Sequence, residues 1–269
     1  MTLPVRSPDL RALAASFRAA LVDAASHPLQ LMEVCGTHSQ AIARFGVRAL
    51  LPPTVRLLSG PGCPVCVTAP GEVDGLLELA TRPGLTLFTF GDMMRVPGSA
   101  GGEQSPTLAQ ARARGADIRV MYSPLQAVEF AAAEPQRETV VVGVGFETTA
   151  PTIAASILEA RRRGLRNLTV LALHKLVPPA LQALLAGGAV PLQGLLLPGH
   201  VSTITGSTVY EPLARRHGVP CAIAGFEVSD VLAGILRLVE QAREGVARVE
   251  NLYGRAVRPE GNTRAQQLM

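Results

Sequence analysis

Cys35-Gly-Thr-His38 and Cys63-Pro-Val-Cys66 are the stretches whose residue types and spacing could do chemistry. The first offers a thiol and an imidazole, the second two thiols, each pair separated by two residues. Three chemistries fit. C-x2-H with C-x2-C gives the halves of a zinc knuckle. Cys63 and Cys66 could instead open and close a disulfide, with a nearby helix start lowering a thiol pKa. Soft thiolates beside an imidazole could also hold an open iron site, the imidazole serving as ligand or proton shuttle. Both pairs follow long apolar runs, whereas structural zinc usually knits together regions poor in core. Cys221 lies inside the apolar run 220–224 and reads as buried packing.

Other candidates stand at the ends of apolar runs. His174 and His200 each follow one, in "HKLVPP" and "PGHVST", and are expected in a cleft. Glu147 in "GFETTAP" either points into that cleft or satisfies nearby backbone amides. The same segment has Gly143 and Gly145 but Thr148 in place of a third glycine, so it is not read as a dinucleotide fingerprint. It reads better as a helix start, with Thr148 or Thr149 as cap and Pro151 in the first turn. Asp92 and Arg95 in "GDMMRVPGS" could pair or touch a partner, and Glu227 in "AGFEVSD" is placed with them at the cleft. His27 and His217 sit in turn-like sequence and read as solvated.

These residues must be positioned by the elements between them. Apolar runs at 29–34, 54–59, 85–90, 118–122, 139–144, 168–173, 192–197 and 220–224 read as strands covered on both faces. Amphipathic stretches at 74–81, 106–114, 152–163, 178–185 and 229–244 read as helices. The alternation predicts an α/β fold of two related domains with mainly parallel sheets flanked by helices. Strand ends near His38 and His174, Pro61 and Pro198, and Gly91 and Gly225 recur at nearly constant spacing, which suggests an internal repeat. The division expected is a first domain at 1–123, a second at 124–245 and a further region at 246–269. The candidate residues then follow strands, at the edge where open α/β sheets bind ligands. Cys35, Cys63 and Cys66 are expected to converge there in the first domain.

The chain has 269 residues, 48% of them hydrophobic, enough for a large core. No apolar run is long enough to span a bilayer, and residues 1–17 lack the apolar centre of a secretory signal, so a cytoplasmic location is expected. The net charge of +4 is mild, and the arginine cluster at 161–166 fits a helix C-terminus. With no Trp and few other aromatic residues, no base-stacking platform is suggested, and neither nucleic acid nor membrane is expected as a partner.

Taken together, "MEVCGTHSQAIARFG", "GPGCPVCVT", "FTFGDMMRVPGS", "GADIRVMYSPLQA", "GFETTAPT", "HKLVPPA", "LPGHVSTITG", "AGFEVSD", "VENLYGR" and "GNTRAQ" resemble the HypD family, scaffold proteins of NiFe-hydrogenase maturation. The resemblance covers nearly the whole chain in family order. It implies work with a HypC-like chaperone on an iron precursor, Fe(CN)2CO, with cyanide from a HypE-like donor. It implies iron at Cys35, with His38 beside it, and thiol–disulfide exchange and electron supply at Cys63 and Cys66. It also implies two related α/β domains and a third region with a 4Fe-4S cluster. Family chains continue past "GNTRAQ" into a cysteine-rich region. Here only Cys221 lies outside the first two motifs, so the cluster ligands are not expected in this chain.

Overall fold

The computed structural model describes residues 10–24, 27–100, 105–188 and 190–269. The first nine residues of the stretch read as lacking a signal sequence lie outside them. Among the described residues the chain forms nine strands and eleven α-helices. Every strand pairing is parallel. The chain divides into two units, one of Met1–Gly62 with Pro178–Thr263, the other of Cys63–Val177 with Arg264–Met269.

The first unit holds β1 (Leu29–Glu33), β2 (Val55–Ser59), β7 (Gly194–Pro198), β8 (Cys221–Ala224) and β9 (Val249–Asn251), in the order β2-β1-β7-β8-β9. Leu31 is in register with Leu57 on one side and Gly194 on the other. Strands β7 and β8 are apolar on both faces because both are covered. Leu196, Ala222 and Ala224 join the core formed with α1 (Leu10–Ala24), α2 (Gly36–Arg44) and α10 (Val228–Glu244). Leu195, Leu197, Cys221 and Ile223 alternate to the opposite face and are equally buried. Helix α10 forms because Val231, Leu232, Ile235, Leu238 and Val239 recur on one side. Each buried side chain of that kind stabilises the unit by about 1.5–3 kcal/mol.

The second unit holds β3 (Leu85–Thr89), β4 (Ile118–Val120), β5 (Glu138–Gly143) and β6 (Leu168–Ala172), ordered β4-β3-β5-β6. Leu85, Leu87, Val140 and Val142 pack with Val73, Leu76, Leu77 and Ala80 of α3 (Pro70–Ala80). Phe88 and Val141 pack on the other face with Ala127 of α5 (Leu125–Ala133) and Ile153 of α6 (Ala150–Arg162). Helix α6 starts at the predicted place, with Thr149 at the N-cap position, although its hydroxyl donates to Phe146 O instead of capping. The arginines at its end are tied down: Arg162 and Arg163 both pair with Glu159, and Arg163 also with Glu129.

Counted along the chain within each unit, the two orders are 2-1-3-4-5 and 2-1-3-4, so both sheets are doubly wound in the same sense of order. The division differs from the sequence expectation. Boundaries near Ser123 and after residue 245 were expected, whereas the chain changes unit after Gly62, Val177 and Thr263. Strand β9, in the expected further region, completes the first sheet. The repeat in strand ends does not relate the units either, since it matches β2 with β7, which share a sheet. The equivalents by topology are β1 and β3, β2 and β4, β7 and β5, β8 and β6. Apolar strands look alike in sequence, and only pairing decides which sheet takes each one.

Residues 60–62 leave β2 and run against the end of β1. Gly60 N donates to Glu33 O at 2.8 Å, and Gly36 N donates to Gly62 O at 2.9 Å. A Cβ on Gly62 would lie 2.6 Å from the Cys35 carbonyl carbon and from Gly36 N, both backbone atoms. Gly62→Ala should therefore destabilise the protein by about 1–3 kcal/mol. Gly71→Ala, inside α3 with nothing near its Cβ, should stabilise it by about 0.5–1 kcal/mol. Urea midpoints moving in opposite directions are the expected outcome, and an unchanged midpoint for Gly62→Ala would contradict the packing.

Candidate functional site

In the first unit the strand order reverses between β1 and β7, and the residues past their C-terminal ends carry the chemistry. The stretches read as loops are helix starts. Cys35 is the N-cap residue of α2, with extended backbone and no side-chain cap bond, and His38 lies in the first turn. His200 lies in the first turn of α8 (Gly199–Thr205), which follows β7 directly. Neither Cys35 nor Pro198 is a capping residue type, so the sequence carried no start signal there.

The anchor of the site is a residue the sequence reading passed over. Glu33 is fully buried at the end of β1. One carboxyl oxygen accepts from Cys35 N at 3.0 Å and the other from the Ser39 hydroxyl. The signal for it was a carboxylate at the end of an otherwise apolar run. Cys35 is 1% exposed, and burial pushes its thiol pKa up. Its Sγ lies 3.7 Å from His200 Nδ1. Burial lowers the pKa of His200 as well.

His38 is fully buried, and burial lowers its pKa to about 4. Its Nε2 is 2.9 Å from Gly225 O. A carbonyl only accepts, so Nε2 carries the hydrogen and Nδ1 the lone pair. That Nδ1 is buried without a hydrogen-bond partner. A hydrogen bond from one imidazole nitrogen to a backbone carbonyl, with the other nitrogen free, is the tautomer arrangement of metal-ligating histidines. Phe226, also missed from sequence, stands between the imidazoles, its centroid 4.9 Å from that of His38 and 5.3 Å from that of His200. Glu227 is exposed at the N-cap position of α10 and makes no side-chain cap bond.

Cys63 and Cys66 belong to the second unit, and Cys35 to the first. The two are disulfide-bonded, with Cα atoms 5.2 Å apart. Their turn is closed by Thr68, whose hydroxyl donates to Pro64 O at 3.0 Å. It leads into α3, where Glu72 accepts from Ala69 N and from Lys175 Nζ. The Lys175 ammonium holds the Glu72 carboxyl below its usual range. A zinc knuckle would need the sulfurs of Cys63 and Cys66 unbonded. Among the described residues no group of three or more His, Cys, Asp and Glu is arranged to hold a metal ion.

Glu147 and His174 follow β5 and β6. Glu147 Oε1 accepts from Val177 N at 2.8 Å at the start of α7 (Val177–Ala186). Oε2 is buried without a partner, and burial raises the carboxyl pKa. The backbone-amide reading of Glu147 thus accounts for one of its oxygens. His174 packs on Gly143 with Nε2 buried and unpartnered. Asp92 and Arg95 are exposed on the 3-10 turn Gly91–Arg95 and do not pair with each other; Asp92 accepts from Met93 N. Cys221 is fully buried as expected, its pKa pushed up to about 12 by burial. His217, read as solvated, is half-buried with Nε2 3.0 Å from the Gln182 amide.

A family model for HypD, described as the hydrogenase formation hypA family, matches residues 10–269. The chain is 48% identical over 244 residues to "Hydrogenase maturation factor HypD" of Azotobacter vinelandii, covering 89% of this chain and 63% of that relative. It is 45% identical over 260 residues to the factor of the same name in Cupriavidus necator, covering 93% and 68%. For that of Escherichia coli K12 the identity is 43% over 245 residues, covering 91% and 64%. The chain thus spans a little under two thirds of the length of the Azotobacter and Escherichia relatives. With a family model matching almost from end to end, the chain belongs to the HypD family.

Proposed function

We propose that this chain is the iron-holding part of a hydrogenase-maturation scaffold. Cys35 and His38 take an iron bound for the Fe(CN)2CO group of a NiFe-hydrogenase. A HypC-like chaperone shares that iron, a HypE-like protein donates the cyanide, and Cys63 and Cys66 serve as the redox pair. The observation that carries this reading is the free, buried lone pair of His38 Nδ1, in the same first helical turn as the Cys35 N-cap. A soft thiolate and a neutral imidazole suit iron of low valence. Binding would displace the thiol proton, which burial otherwise holds on sulfur. Since too few side chains gather here to complete a metal shell, other ligands must come from a partner or from the diatomic groups themselves. Reducing Cys63–Cys66 takes two electrons and two protons and frees two thiols. A cytoplasmic setting belongs to the same proposal; among the described residues no helix is long and apolar enough to cross a membrane.

The cysteines present do not fit the family's 4Fe-4S cluster. A cubane needs four thiolates as a rule. Cys63 and Cys66 are bonded to each other, Cys221 is sealed within β8, and Cys35 has its own site.

Three outcomes test this reading. Cys35→Ser should abolish loading of iron, cyanide and carbon monoxide with the partner proteins present, read as loss of the metal-bound cyanide and carbonyl infrared bands, while the circular dichroism spectrum is kept. Bands of wild-type intensity in that variant would refute the role of Cys35. Anaerobic reconstitution of the 269-residue chain with iron and sulfide should give no cubane signal by Mössbauer or EPR spectroscopy. A stoichiometric cubane would show the cysteines to be wrongly assigned.

The third outcome concerns pH. The folded pKa of His38 is depressed from 6.5 to about 4, so as pH falls the unfolded chain takes up the proton first. The contribution is fully present above pH 6.5 and is lost between there and pH 4, amounting to at most about 3 kcal/mol. His38→Asn should flatten the fall in urea midpoint between neutral and mildly acid pH. An unchanged slope would mean that His38 is not held neutral by burial.

A further inference from the structure

Past β9 the chain turns back over the C-terminal edge of the first sheet, and its backbone there is closely fixed. Asn251 Nδ2 donates to Val257 O, and Asn251 Oδ1 accepts from Tyr253 N. Ala256 N and Val257 N both donate to Tyr253 O. The Tyr253 ring is thereby laid against the two glycines that end β7 and β8. A Cβ on Gly199 would lie 2.6 Å from Tyr253 Cδ1, and one on Gly225 2.7 Å from Cε2. Those glycines precede His200 and Phe226 directly. The same ring meets Phe226 edge-on, with centroids 6.2 Å apart and planes at 74°.

The ring is held from outside as well. Arg255 spans both carboxyl oxygens of Asp230, in the first turn of α10, at 3.0 and 2.5 Å. Its guanidinium carbon stands 4.5 Å from the Tyr253 centroid. Contacts therefore run without a gap from Asp230 through Arg255, Tyr253 and Phe226 to the imidazoles of His38 and His200. His200 in turn lies against Cys35 Sγ.

We propose that Tyr253, clamped by the Arg255–Asp230 pair, is a positioning residue of the Cys35 centre: through Phe226 and the two glycines it fixes where the imidazole of His200 stands against the thiol. The use of that geometry for iron rests on the function proposed above; the geometry itself does not. Two features separate this from ordinary packing. The strap contacts the backbone just past two of the strands that deliver site residues, β7 and β8, and it reaches the imidazoles through a single ring. Its clamp is exposed, with Arg255 53% accessible, so it can be loosened without opening the core.

The test follows Cys35 alkylation by iodoacetamide in protein kept oxidised, where Cys63 and Cys66 are bonded; because Cys35 and Cys221 are both buried, the adduct is assigned to Cys35 by peptide mass. Tyr253→Leu and Arg255→Gln should raise the alkylation rate about tenfold, the scale of coupling between residues in contact. Melting should remain cooperative, and Tyr253→Phe, which keeps the ring, should behave as wild type. Arg255→Lys, which keeps the charge but loses the fork and the stacking, should fall with Arg255→Gln, and it decides the matter should Tyr253→Leu fail to fold. Cobalt(II) titration gives the second readout. The loosened variants should keep the sulfur-to-cobalt charge-transfer band and change the d–d bands that report the other ligands. Wild-type alkylation and wild-type d–d bands in Arg255→Gln and Arg255→Lys would overturn the proposal, as would Tyr253→Phe being as damaging as Tyr253→Leu. If the wild-type protein gave no charge-transfer band, the iron reading would fall and the alkylation rates would still decide the strap.

Discussion

The double pairing of β1, with β2 on one side and β7 on the other, is the constraint on which the first unit rests. It joins two stretches of chain separated by the Cys63–Val177 segment of the second unit. Because the pairing is parallel, both strands end at the same edge, and Cys35 and His200 meet although 165 positions apart. Strand order then does the rest. The chain order reverses between β1 and β7, the point of an open α/β sheet at which ligands commonly bind.

What fills that edge is polar and buried. Glu33, Cys35 and His38 are buried together, and buried polar groups are costly unless bonded. Glu33 answers this by taking the Cys35 amide and the Ser39 hydroxyl, and His38 by giving its N–H to Gly225 O. Burial raises the thiol pKa and lowers those of the imidazoles, so the centre holds its neutral forms at physiological pH. The polar atom of these three residues left unsatisfied is the acceptor His38 Nδ1.

The second unit repeats the order of the first and also places polar groups past its strands, but with other chemistry. Glu147 and His174 each keep one buried polar atom unpartnered. The Cys63–Cys66 turn is braced by its own hydrogen bonds and, through Ala69 and Glu72, by Lys175. Turn and brace come from distant parts of that unit, so the disulfide sits on a supported loop. The Glu72–Lys175 pair is partly exposed, which makes it a geometric tie more than a source of stability.

Much of this was legible in the sequence. Each apolar run read as a strand is one; β3, β5, β7 and β8 are buried on both faces and so need an unbroken run of apolar residues, whereas β2 and β6 keep exposed positions. Strand β9 was missed because "VEN" at a sheet edge is short and half-buried. The starts of α2 and α8 were missed because Cys35, Gly36 and Gly199 carry no helix signal of their own. Cys35, His38, His200 and the Cys63–Cys66 pair were chosen by type and spacing, and Cys221 was rightly set aside as packing. What the amino-acid sequence determined by itself was therefore eight of the nine strands and several of the helices, together with which residues carry thiols and imidazoles, since periodicity and residue type are local properties. Which strands share a sheet, how Glu33 and Phe226 enter the site, and how Tyr253 reaches its glycines were decided only by the tertiary structure. Those relations depend on pairing and close approach between residues far apart in the chain, and no local pattern encodes them.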